Sequence, residues 1–575
     1  MPRQLIICCD GTNNNLTGRR NDTNVTQLCE LLDPDGLKGP EQLLFYDPGV
    51  GNPGELPGAT LGDKIGRRFE RLYGLVYGKG IYENISEAYR FLMRNWQPGD
   101  QIFLFGFSRG AFTARSVGGL VTQFGILRPD MDVLVPTLLH VYFSDREKGR
   151  DEYKLITGQI GDLFSSNAAR EASVHFVGVW DTVASVGAPL LSREITAVPT
   201  IVGKRFKHVR QALALDEFRT TFRPRPYIIQ KDYDYAAHGQ SIAQQWFSGS
   251  HCDVGGGYDN EEAGLSQQAF LWMVQQAHGC GLKLKADLMA DVNGVPLPDI
   301  SKITLFLDDR SKLKKPRQKF VHSEEYETPM WALGGLAVRD PAASLGIDPK
   351  IEMPPQQSPT VAANGLVFPA QSVWRAGRPA SHLLYAALTA FVVWAAAGGF
   401  LLGLELNPDN NLWQDFVADM QAIPAAARAN FDFAFWQLTW FFSPGHLPSA
   451  SLLRLNLQNP ATAILLDFGL IGAYGYLLAR AFSWAFARLA GLRRVDLTPP
   501  AWLNRLGMTA CVGVLGDVAE NFLTWFVLAT ANNQLVPSLE TVFGLLMSAA
   551  ALVKWLGLAG SLVLIALACL EGKKK

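Results

Sequence analysis

Apolar positions follow different periods in different parts of the chain. In the first 350 residues there are short apolar runs at Leu5–Cys9, Ile102–Phe105 and Val174–Val179. Runs of that length predict central strands buried on both faces. Helical periodicity appears over Ile85–Trp96 and Leu265–His278. The stretch A-L-A-L-D-E-F-R around Asp216 and the surroundings of His140, His208 and His278 also read as helical. Strands alternating with helices predict an α/β domain with a mostly parallel sheet flanked by helices, over residues 1–350. The proline-, glutamine- and glycine-rich stretch that follows, 351–380, reads as a linker.

Beyond the linker the apolar runs lengthen, and residues 381–575 are expected to form a helical transmembrane bundle. Residues 379–404 contain no Asp, Glu, Lys or Arg, which exceeds the ~20 residues needed to cross a bilayer. Pro460–Ala479, Leu506–Thr530 and Val542–Leu570 complete about four expected spans, with 405–459 as an inter-span loop. Leu506–Thr530 is the weakest of them, because it contains Asp517 and Glu520. Lys554 falls inside the last span, and a charge in lipid needs a partner, so it is expected to face Asp517 or Asp467. Arg375 and Arg378, then Arg480, Arg488, Arg493, Arg494 and Arg505, then Lys573–Lys575 fall on one side of this topology. The positive-inside rule then expects a multi-pass protein with both termini and the α/β domain on the cytoplasmic side of whichever membrane receives it.

Composition narrows the picture further. The 575 residues exceed what one hydrophobic core usually holds. A net charge of -1 and a pI near 6.8 give no footprint for nucleic acid. Mean hydropathy is +0.07, raised by the C-terminal third. Seven cysteines without a C-x-x-C spacing suggest neither a disulfide framework nor a zinc site. The N-terminus runs directly into the first strand, so no signal peptide is expected. No cofactor is expected; calcium stays open through adjacent acids such as Asp308 and Asp309, although no ligand spacing demands it. The basic run Lys312, Lys314, Lys315, Arg317, Lys319 reads either as a surface for anionic headgroups or as a solvated loop. Trp436–Phe442 is aromatic enough for an interface belt.

The candidate chemistry begins at Gly106-Phe107-Ser108-Arg109-Gly110, a G-x-S-x-G between a strand run and a helical pattern. That context is a nucleophile elbow, in which a strained turn pushes a serine hydroxyl out of the sheet. A serine needs a base, and the base an orienting acid. Among nine histidines, His251 in the glycine-rich S-G-S-H-C-D-V-G-G-G is the candidate base. Asp181, just past the strand Val174–Val179, is the candidate acid, with Asp216 and Asp253 as rivals; Asp253 can instead hold the glycine-rich loop. The order Ser108, Asp181, His251 fits serine hydrolases on doubly wound sheets. An oxyanion hole would combine the Arg109 N–H with Gly11 or Thr12 at the end of the first strand. Asp10 and Asn13 would support that turn.

Six motifs occur in order: I-I-C-C-D-G-T-N-N-N, E-N-I-S-E-A-Y-R-F-L, G-F-S-R-G-A-F-T-A-R, G-V-W-D-T-V-A-S-V-G, A-L-D-E-F-R and W-F-S-G-S-H-C-D-V-G-G-G-Y. Over about residues 4–285 the chain resembles the uncharacterised α/β-hydrolase domain family that includes the first class of type VI secretion phospholipase effectors. The resemblance implies an α/β-hydrolase-like sheet and a phospholipase A-type esterase using Ser108, Asp181 and His251. It also implies delivery into target cells in some members, with secretion-system or immunity partners. The expected C-terminal spans depart from that pattern and fit a resident membrane enzyme equally. A serine hydrolase for another ester, or a non-enzymatic lipid- or partner-binding protein, are the rival readings.

Overall fold

The computed structural model describes residues 2–11, 22–33, 42–49, 79–144, 150–183, 185–186, 193–194, 202, 204–228, 233–310, 317, 321–322, 335–339, 360–361, 460–492, 501–530 and 537–571. Two compact units divide the chain. One comprises Met1–His322 with Arg339–Pro369, the other Ser323–Val338 with Ala370–Lys575.

The first unit is built on a seven-stranded sheet. Its strands are β1 (Gln4–Cys9), β2 (Gln42–Asp47), β3 (Gln101–Phe107), β4 (Val174–Trp180), β5 (Phe206–Ala214), β6 (Ser241–Phe247) and β7 (Thr360–Val361). Their spatial order is β7-β6-β5-β4-β3-β1-β2, and every pairing is parallel. The three apolar runs are therefore strands, as their length predicts. Alternation then divides their side chains. Leu5, Ile7, Ile102, Leu104, Val177 and Val179 join the core beneath α2 (Lys79–Asn95) and α3 (Arg109–Phe124). Ile6, Phe103, Phe105, Phe176 and Trp180 join the opposite core, beneath α1 (Asn24–Leu31) and a long helix at Ser266–Gly279.

One local reading is corrected. His208 lies in β5, and Asp216 follows two residues after that strand rather than in a helix. The alanine- and arginine-containing run K-H-V-R-Q-A-L-A has weak strand propensity, but β5 is paired on both sides by β4 and β6. Ladder hydrogen bonds and burial on both faces override propensity there.

The second unit contains helices at Pro460–Leu492, Ala501–Leu506, Thr509–Thr530 and Pro537–Glu571. The last three expected spans thus fall in helices, while 379–404 and the Trp436–Phe442 belt lie outside the described residues. One described helix is long and apolar enough to cross a membrane, over Leu552–Leu570 with mean hydropathy 2.1. Lys554 meets Asp517 at 2.9 Å, with Glu520 at 3.7 Å. Around this cluster Thr509–Thr530 and Pro537–Glu571 approach until a Cβ at Gly557 would lie 2.2 Å from the Gly513 nitrogen. The Asp467 side chain is outside the described residues.

Candidate active site

The sheet reverses its winding between β1 and β3, and ligands of open parallel sheets bind outside the carboxyl ends of strands at such a point. Ser108 sits there, between β3 and α3, with φ 58° and ψ -123°. Such a conformation costs about 1–3 kcal/mol and persists only when its surroundings over-determine it. Here the Ser108 N–H donates to the Trp180 carbonyl at 3.1 Å. A Cβ at Gly106 would lie 2.5 Å from the Gly110 carbonyl oxygen, and one at Gly110 2.2 Å from that of Cys9. Both glycines let the turn fold back on itself and onto the end of β1.

Asp181 also has positive φ, 36°. Its N–H donates to the Ala212 carbonyl at 2.8 Å, extending the ladder one step beyond β4. Its side chain is fully buried. Oδ2 meets His251 Nδ1 at 2.6 Å, and Oδ1 accepts from the Ala214 N–H at 3.0 Å. Arg339 grips both oxygens, Nη1 to Oδ1 at 2.7 Å and Nη2 to Oδ2 at 3.1 Å. Burial alone would raise this carboxyl, but Arg339 and His251 outweigh it and hold the group down at about 2. Asp181 is therefore ionised at any ordinary pH. An ionised carboxylate only accepts, so Nδ1 carries a proton, and in the neutral imidazole the lone pair is then on Nε2. Among the described residues this buried Nε2 has no hydrogen-bond partner, the Ser108 hydroxyl included.

His251 opens the short helix His251–Gly255, capped by Ser250, whose side chain and backbone pair reciprocally with Asp253. Its N–H donates to Glu217 at 3.2 Å. Glu217 is paired with Arg219 at 2.6 Å, and both are buried. The Arg219 guanidinium lies 3.8 Å from the Phe222 ring centroid, and that ring packs edge-on against His251 at 4.9 Å. Phe107 covers the imidazole from another side at 4.7 Å.

The rival acids turn elsewhere. Asp216 accepts from the Gly249 N–H at 2.7 Å. Asp253 accepts from the Ser250 N–H and faces His322 Nδ1 at 2.6 Å. Burial raises the Asp253 carboxyl, with the His322 and Ser250 contacts only partly offsetting it. The structure thus brings Ser108, Asp181 and His251 to one end of the sheet, with Gly106, Gly110 and Asp253 as framework.

The expected oxyanion donors fare unevenly. Arg109 N–H is the first of α3, one of the donors a helix leaves unpaired. Gly11 N–H is already engaged by Asp10 Oδ1 at 2.7 Å. Asp10 Oδ2 accepts from Thr23 and Tyr46. Thr12 and Asn13 lie outside the described residues. Asp308 pairs with Arg317 at 2.7 Å, and most of the basic run around Arg317 is outside the described residues. Among the described residues no group of three or more His, Cys, Asp or Glu is placed to hold a metal.

Sequence reasoning missed Glu217, His322 and Arg339. Glu217 was within reach of the strand-end argument that picks out Asp181, since it follows β5 by three residues. His322 and Arg339 lie in stretches without local pattern, and only the fold brings them here.

Residues 3–276 match the family model described as "T6SS, Phospholipase effector Tle1-like, catalytic domain". The chain is also similar to the uncharacterized protein YEL023C of Saccharomyces cerevisiae, 30% identical over 234 residues. That similarity spans 39% of this chain and 33% of the yeast protein, so the chain spans about a third of the curated relative it matches.

Proposed function

We propose, from a chain whose residues 3–276 belong to the Tle1-like phospholipase effector catalytic-domain family, that this protein is a membrane-anchored serine esterase cleaving acyl esters of glycerophospholipids. The observation that carries the reading is the buried Nε2 of His251, without a hydrogen-bond partner among the described residues, on a ring whose Nδ1 is tied to an ionised Asp181. Ser108 attacks the acyl carbonyl while Nε2 takes its proton. The Arg109 N–H and a donor from the loop after β1 hold the developing oxyanion, and Thr12 is the better candidate now that Gly11 is engaged. The imidazolium, steadied by Asp181, then protonates the departing lysolipid alkoxide. Water repeats the sequence on the acyl-Ser108 ester and frees the fatty acid.

The phosphate of the headgroup has a partner to hand. Among the described residues no ion pair or hydrogen bond engages the Arg109 guanidinium. Desolvation pushes it down to about 10, so it stays charged at neutral pH beside Ser108. Anchoring through Leu552–Leu570, and through further spans at the other long apolar stretches, keeps the domain at its bilayer substrate and raises the effective lipid concentration. The family match supports secretion into a target cell. The apolar stretch Leu552–Leu570 favours the second reading, a resident membrane lipid hydrolase.

The test compares wild type with Ser108→Ala on phosphatidylglycerol–phosphatidylethanolamine vesicles, scoring fatty acid and lysolipid by mass spectrometry. Release by wild type alone is expected, with fluorophosphonate labelling confined to Ser108. A folded wild type that releases nothing and takes no label would sink the hydrolase reading. Labelling without lipid release would move the substrate to another ester.

A further inference from the structure

Arg339 lies 158 residues beyond Asp181 and outside the stretch matched to the family. Its guanidinium is buried, its side chain only 4% exposed, and its Nη donors go to the ends of three chain segments. Two go to the two oxygens of Asp181, and another reaches the Ala214 carbonyl at 2.6 Å, at the end of β5. Nη2 also reaches the carbonyl of Phe222, the residue whose ring lies on His251. One planar fork therefore fixes the Asp181 carboxylate plane and the wall of the imidazole together. Bidentate pairing of this kind has a geometry lysine cannot supply.

We infer that Arg339 is a positioning residue of the hydrolytic site: its guanidinium orients Asp181 toward His251 and balances the charge of the carboxylate. The inference rests on the serine-hydrolase reading above.

The charge arithmetic is local. From the end of β4 His251 faces Asp181. From the loop after β5 it faces Glu217, whose charge is matched by Arg219. Asp253, on its own short helix, is turned to His322. Glu217 has its direct ion pair with Arg219, although Arg339 and His251 also act on its charge, and Asp253 has its direct contact with His322. Arg339 is then the cation that balances Asp181 while the imidazole is neutral. Without it, the buried carboxylate is compensated only when the imidazole takes up a proton, and protonation of the base is favoured.

Arg339→Met and Arg339→Lys are tested in the full chain, with thermal melts to verify folding. The readouts are kcat, KM and the pH dependence of fluorophosphonate labelling and ester hydrolysis. Arg339→Met is expected to lower kcat on the order of 10²-fold with KM little changed, as misorientation does. The acid limb of its kcat/KM profile should move to higher pH. Arg339→Lys should keep the wild-type limb, since the charge remains, but recover only part of kcat. Wild-type kcat and pH profile in folded Arg339→Met would overturn the inference. If Arg339→Met does not fold, full wild-type kcat in Arg339→Lys would overturn it. A wild type that neither labels nor hydrolyses fails the serine-hydrolase reading instead, which separates the two outcomes.

Discussion

Among the described residues, three non-glycine positions have positive φ: Ser108, Asp181 and Asn293. Asn293 precedes Gly294 in a tight hairpin turn, where asparagine is an ordinary choice. The other two carry the candidate chemistry, so backbone strain is concentrated where the side chains must be aimed. Gly110→Ala should therefore abolish the elbow, because its methyl has no space against the Cys9 and Asp10 carbonyls. Loss of both fluorophosphonate labelling and several degrees of melting temperature is expected, and wild-type labelling would contradict the close packing. Asp181→Asn keeps the shape but removes the charge that sets the His251 tautomer, for which a fall in kcat on the order of 10³–10⁴ is the usual scale. It also sets an acid limit on stability. The folded carboxyl is depressed to about 2 from 3.8, so its contribution is present above the ordinary carboxylate range. That contribution is lost as pH falls through about 2. Denaturant melts at pH 6 and pH 2 should show this acid loss in wild type, with a smaller loss in Asp181→Asn. Arg109→Gln should raise KM for anionic phospholipid more than for a neutral acyl ester. Equal effects on both would remove its headgroup role.

At the scale of elements, β3–α3 and β4 form a frame that the strands beside them complete. The helix Ser266–Gly279 holds that frame from the opposite face, its Phe270 and Met273 packing with Phe105 and Trp180. In the second unit, the cluster Lys554, Asp517 and Glu520 ties two helices together. Breaking a buried pair by removing one partner costs about 3–5 kcal/mol, because it leaves uncompensated charge behind. Lys554→Met should accordingly lower the midpoint of detergent-solubilised unfolding measured on the full chain. An additional Asp517→Asn and Glu520→Gln substitution should recover much of the loss. A Lys554→Met midpoint equal to wild type would remove the pair from the account of this unit's stability.

At the scale of the molecule, a catalytic domain that reads as lipid-directed and a helical unit with an apolar 19-residue stretch share one chain. One candidate span is found among the described residues, and the four spans expected from the sequence would put both termini on one side of the bilayer by the positive-inside rule. Protease protection of N- and C-terminal tags in sealed inner-membrane vesicles tests this directly. Both tags should share one fate, and opposite fates would require an odd number of spans. Carbonate extraction should leave the full chain in the pellet if the stretch is inserted.

Much of the site was legible from the chain, because its main devices are local. A strand run ending in G-x-S-x-G specifies an elbow within ten residues, since the turn can only be made by glycines at those places. Ser108, Asp181 and His251 each lie beside a recognisable strand end or glycine-rich loop, so residue type and chain order made them candidates, with Asp216 and Asp253 left as rival acids. Tertiary structure decided what local patterns cannot encode. It made β5 a strand against its propensity, because two neighbouring strands supply hydrogen bonds that an isolated segment lacks. It chose Asp181 over Asp216 and Asp253 by aiming one carboxylate at the imidazole and the others at Gly249 and His322. It also brought in Arg339 across 158 residues. A buried charge needs its partner in space, and nothing along the chain records which distant cation will stand there.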